Sequence, residues 1–239
     1  MKTMLTLFYV ITIGSMLSGC VANKIAVRPE TMANIHNIAL INIEEPQGYV
    51  ANDLGNPGAM FGAIGGVAVA MSSADAAKMA AKFADEVNFK PGELFTSLLK
   101  EKLSSKGYRI NLISVSREKK IALLKNYDTV DSEGADAILD VAIESIGWET
   151  EHPMTSPHWR PSSQIHVALV DVHKKSIIYT EKFMYGYHNP LMTGTDLDAP
   201  EMYHIQKNDE LYADITKWVD GMRHSVNTVV NQIVFNLSK

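Results

Sequence analysis

Two sets of residues in this 239-residue chain have side chains suited to chemistry. The first is a single thiol. Cys20 is the only cysteine, so it has no intrachain disulfide partner and belongs to no cysteine-rich zinc site; its sulfur is a nucleophile able to carry a stable thioether. The second set lies between Trp148 and Trp159, where His152 and His158 stand with Glu149 and Glu151 nearby, and His166 is expected to be close. Imidazole and carboxylate together suit zinc. No ligand pair here has a recognised spacing, however, and Pro153 and Pro157 make the stretch read as a locally hydrogen-bonded loop. Trp148 and Trp159, with Tyr185, Tyr187 and Tyr203, either line a recognition surface or serve as ordinary half-buried residues. The chain contains no GxSxG, HExxH, phosphate-loop or GxGxxG motif. The expectation is a non-enzymatic protein without a metal or a dissociable cofactor.

The charge balance is 22 Lys+Arg against 27 Asp+Glu, a net −5, which argues against a nucleic-acid partner because phosphate neutralisation needs a basic face. Hydrophobic residues make up 46% of the chain, enough for a folded core rather than disorder. The amino-terminal stretch has the layout of a secretory signal peptide: Lys2 is the positive residue, Leu5 to Ile13 are apolar, and Gly14, Ser15, Ser18 and Gly19 are small. Its last residues, Leu17-Ser18-Gly19-Cys20, resemble the lipobox of bacterial lipoproteins. That resemblance implies removal of residues 1–19 and covalent diacylglyceryl and N-acyl groups on Cys20. Two or more acyl chains anchor stably, each buried CH₂ contributing about 0.8 kcal/mol. With Val21 rather than Asp after the cysteine, the resemblance implies the outer membrane, facing the periplasm. Residues 20–34 read as a lipidated tether, and Lys24 and Arg28 in it read as part of a solvated linker.

The elements that position these residues follow from hydrophobic period. Asn37 to Ile43 is a short apolar run suited to a strand buried on both faces. Pro91 opens a helix with Leu94, Phe95, Leu98, Leu99 and Leu103 at helical spacing, and Gly107 closes it. Tyr108 to Ile113 reads as a strand, and Ser116 as the cap of a short helix reaching Asn126. Ala135 to Ile146 alternates, with Ala137, Leu139, Val141 and Ile143 on one face and Asp140 and Glu144 on the other. Gln164 to Val172 and Ser176 to Tyr187 form an antiparallel hairpin, with Ile177, Tyr179, Phe183 and Tyr185 on one face. A long loop follows over His188 to Asn208, then an amphipathic helix from about Asp209. The fold class is α/β: a single mixed sheet with an antiparallel hairpin, flanked by helices, in one domain over 35–239.

Gly58, Gly62 and Gly66 recur at four-residue spacing and share one helix face, a candidate packing or oligomerisation face. From Gly58 to Met71 there is no charge; as a helix that run spans about 21 Å, short of the roughly 30 Å hydrocarbon core. Three readings of 58–83 stay open: a helix packed on the sheet, an apolar segment entering the membrane or another protomer, or a Gly/Ala loop. The order of elements over 35–237, and Gly134-Ala135-Asp136-Ala137-Ile138-Leu139 entering a strand, resemble the curli-secretion lipoproteins and the amino-terminal domain of the Tol-system propeller protein. That resemblance implies contacts with other envelope proteins or self-association, and at its furthest a ring-forming secretion channel. The spanning segments of those channels alternate as β-hairpins, whereas 58–71 does not. The expected role is an accessory or assembly factor in an envelope complex, with an oligomeric secretion component and a metal-dependent hydrolase as the alternatives.

Overall fold

The computed structural model describes residues 24–52, 78, 80–152, 156–186, 194–205 and 214–238. In chain order these form α1 (Pro29–Met32), β1 (Asn37–Ile41), β2 (Val50–Asn52), a helical segment over 80–86, α2 (Pro91–Ser105), β3 (Arg109–Ile113), β4 (Ala137–His152), β5 (Ser156–Asp171), β6 (Ser176–Tyr185), β7 (Thr195–Leu197), a 3-10 turn (Glu201–Tyr203) and α3 (Ile215–Leu237). The strands make one mixed sheet in the order β3-β1-β4-β5-β6-β7, and β2 lies beside the far half of β4. β1 runs parallel to both its neighbours, whereas β5 runs antiparallel to β4 on one side and to β6 on the other.

Local chemistry explains most of these elements. Ile38, Ala39, Leu40 and Ile41 are fully buried, as a β-branched run between two parallel neighbours should be. Helix α2 starts at Pro91, whose missing N–H costs nothing in a first turn. Its exposed N–H groups are answered from a distance: the Glu45 carboxylate accepts from Gly92 at 3.1 Å and Glu93 at 3.0 Å. Gly107, at φ +89°, ends the helix where a side chain would be strained. At the start of α3, Asp214 accepts the Lys217 N–H at 3.0 Å.

Helices α2 and α3 cover one face of the sheet. Phe95, Leu99 and Leu103 of α2 and Met222, Val226, Val230 and Ile233 of α3 join Leu139, Val141, Val167 and Phe183 in the main core. Trp218 packs edge-on against Tyr49 and Phe83, with ring centroids 5.7 and 5.9 Å away. Its carbonyl accepts the Trp148 indole N–H at 3.2 Å. Gly221 makes that approach possible, since a Cβ there would lie 2.8 Å from the Trp148 ring and 3.1 Å from Pro161. The second face carries a smaller core of Ala39, Ile41, Ile113, Ala135, Ile138 and Val170, covered by Leu124, Tyr127 and Val130 from the connection 114–136.

Several sequence expectations are corrected. No helix forms between Ser116 and Asn126; the segment is turns and irregular chain. Its groups are spent on the sheet: Arg117 reaches Asp140, whose other oxygen accepts the Leu124 N–H at 2.9 Å. Asp140, expected on a polar face, is fully buried. Two register shifts change which side chains share a face. At Ile143/Ser145 the buried series on the helix side passes from Ala137, Leu139, Val141 and Ile143 to Ile146 and Trp148. At Leu169/Val170 the opposite residues are Tyr179 and Ile177, so Ile178 packs on the main core. Ile177 turns to the second face, 44% exposed. The expected loop between Trp148 and Trp159 is strand for most of its length, with Trp148 opposite Pro161 and Thr150 opposite Trp159. The burial of both indoles on the helix side draws the hairpin out to sixteen residues per strand. The expected loop after His188 contains the short strand β7 and the 3-10 turn.

Candidate functional site

Cys20, Gly58, Gly62 and Gly66 lie outside the described residues. His152 pairs with Ser156 at the tip of the β4–β5 hairpin, and His158 follows on β5; the side chains of both, and of Glu151, also fall outside the description. His166 does not join them. It stands eight residues further along the same strand, a separation of about 26 Å. There it shares a hydrogen bond with Thr180 and faces Glu144 at 3.6 Å. Burial pushes its pKa down against the pull of Glu144, with Lys182 adding to the effect, so the ring is neutral at pH 7. Among the described residues no group of three or more His, Cys, Asp or Glu could hold a metal ion. Trp148, Trp159 and Tyr185 are buried core rather than an exposed recognition surface, and Tyr203 packs beside the His224 ring at 5.1 Å.

The arrangement that sequence reasoning missed is at the start of the described chain. The tether is not a solvated linker at Lys24 and Ile25. Ile25 bridges Thr180 on β6, with its N–H donating at 3.0 Å and its carbonyl accepting at 3.1 Å. Lys24 pairs with Glu181, whose side chain is 1% exposed, and donates to Thr195 at 3.0 Å. Four donors converge on this carboxylate. Lys24 and the Thr195 hydroxyl reach Oε1, while the Tyr179 hydroxyl at 3.0 Å and the Asn236 amide at 2.9 Å reach Oε2. Burial pushes the Tyr179 phenol up, so it stays a donor. Glu181 thus joins the tether, the β6–β7 edge and the last turn of α3. The one visible signal was a glutamate among Tyr179, Phe183 and Tyr185 on an otherwise apolar strand face.

On the opposite face, the Arg117–Asp140 pair is 2% and 0% exposed, with Arg117 Nη2 2.5 Å from Asp140 Oδ1. Tyr127 donates to the same carboxylate at 2.9 Å, and burial holds its phenol protonated. Beside this network runs a cleft of about 280 Å³. Ile138 and Val170 form its floor, Tyr127 and Ile177 its walls, and Lys125, Asp128 and Lys175 its rim. Tyr127 and Asp140 are already committed to each other, so the cleft offers shape and charge rather than a proton-transfer pair.

No family model matches the chain, and no curated protein matches it. Among solved structures the chain is similar to a PelC variant dodecamer from Paraburkholderia phytofirmans, at 12% identity and a TM-score of 0.37, over 91% of this chain and 96% of that one. The fold described above stands on its own strand register and packing.

Proposed function

We propose that this chain is an outer-membrane-anchored lipoprotein whose periplasm-facing α/β domain is a non-enzymatic accessory or assembly factor in a cell-envelope complex. The observation that carries the reading is Leu17-Ser18-Gly19-Cys20 at the end of an apolar leader, with the only cysteine of the chain at the acylated position. The docked tether supports it: a chain held by an ion pair four residues after its lipid keeps its domain beside the membrane. The non-enzymatic part is supported by the donors that occupy Asp140, Glu144 and Glu181, each of which has a structural partner. Replacing the acylated residue tests the anchor. Cys20→Ser should accumulate as unacylated precursor that retains residues 1–19 and is lost from the outer-membrane fraction; normal processing and unchanged fractionation would refute it.

A second reading, an oligomeric secretion-channel component, is favoured by the Gly58/Gly62/Gly66 spacing in a charge-free run. Light scattering coupled to size exclusion of the detergent-extracted protein separates the two. A ring-sized species that falls apart in Gly62→Leu supports the channel, and a monomer supports the tethered adaptor.

A further inference from the structure

The tether leaves the domain at a defined corner. Asn236, in the last turn of α3, donates to the same Glu181 carboxylate that holds Lys24. The residue beside it, Phe235, is the most exposed large hydrophobic among the described residues, at 74%. Phe235 shares a surface groove with Lys102 of α2 and with Lys106 just past its end, and among the described residues no carboxylate lines that groove. The outer surface of α3 carries no charge between His224 and Ser238, where Asn227, Thr228, Asn231 and Gln232 lie between the buried positions.

Chain length limits where this corner can be. Four peptide units separate Cys20 from Lys24, so whatever path they take, the acylated residue lies within about 14 Å of the Lys24 Cα. We propose that the corner formed by Phe235, Lys102 and Lys106 rests on the bilayer that holds the lipid anchor, with the phenyl ring among the acyl chains near the headgroups and the two ammonium groups on anionic lipid. This rests on the lipoprotein reading above. The chemistry suits that occupant: an aromatic ring flanked by cations matches the apolar and anionic layers of a lipid surface, and each basic residue adds to the attraction of an anionic membrane. One docked ion pair thereby sets the orientation of the whole domain.

The test places a polarity-sensitive fluorophore on F235C, and separately on I121C in the second-face connection. Both are made in the mature acylated protein, in vesicles of phosphatidylethanolamine and phosphatidylglycerol. The proposal predicts blue-shifted emission at 235 that a spin-labelled lipid quenches several-fold more than at 121. K24M, which frees the tether, and the K102E/K106E pair should each reduce that quenching. A blue shift at 235 without lipid quenching would mean a protein covers the corner and would overturn the proposal, as would equal quenching at both sites. The intact mass of the same sample keeps the two readings apart. Acylated protein with an unquenched residue 235 refutes this inference alone, whereas protein without acyl groups refutes the anchor and this inference with it.

Discussion

Lys24→Ala removes the cation from the tether clamp while leaving the backbone pairing of Ile25 with Thr180 in place. The loss is intermediate in size. An exposed ion pair contributes about 0.2–1 kcal/mol, and a broken buried one costs about 3–5 kcal/mol. Glu181 is enclosed, but the Lys24 side chain is 56% exposed, and three neutral donors still hold the carboxylate after the change. An effect of about 1 kcal/mol follows. It acts on the tether alone, whose detachment otherwise breaks only two backbone hydrogen bonds of about 1 kcal/mol each. Since about 1.4 kcal/mol is a tenfold change in an equilibrium, native-state hydrogen exchange at Ile25 and Thr180 should quicken about five-fold, with Leu139 and Val167 unchanged. Glu181→Ala should behave differently, lowering the global urea midpoint as well, because it strands Asn236, Tyr179 and Thr195. Unchanged exchange at Thr180 in Lys24→Ala would refute the clamp.

Other consequences follow from the same contacts. Arg117→Ala leaves Asp140 charged and enclosed and should cost about 3–5 kcal/mol in urea unfolding, with much of the loss recovered when Asp140→Leu is added. Gly186→Ala puts a Cβ 2.0 Å from the Pro161 carbonyl at φ +69° and should cost several kcal/mol or prevent folding. Folding lowers the His166 pKa below its ordinary 6.5, through burial first. The unfolded chain therefore binds more protons, and this contribution is complete above about pH 6.5 and fades as the pH falls through the lowered value. Melting curves between about pH 5 and pH 7 should show the loss in the natural protein and a flatter dependence in His166→Asn; identical slopes would refute the assignment.

How much of this was legible depended on whether the interaction was local. The β1 run, α2 with Pro91 and Gly107, the β5–β6 hairpin and the α3 stripe all follow from period and caps within a few residues, and they stand where expected. The bulges at Ile143/Ser145 and Leu169/Val170 were not visible, because one inserted residue reverses a face without changing composition. The stretch from Ser116 to Asn126 was misread as helical because its decisive partner, Asp140, lies outside it in sequence. The clamp was hidden for the same reason: Lys24, Glu181, Thr195 and Asn236 are brought together by the sheet edge and the end of α3, and no short motif joins them. The hairpin tip with His152 and His158 was read as a loop because its prolines outweighed Trp148 and Trp159, whose burial extends the strands.

The anchor is tested most directly by the intact mass of the protein extracted from the outer-membrane fraction. The account predicts a chain beginning at Cys20 and heavier than the bare polypeptide by a diacylglyceryl group and an amide-linked acyl chain. A chain that retains residues 1–19, or begins elsewhere with an unmodified thiol at Cys20, would contradict it.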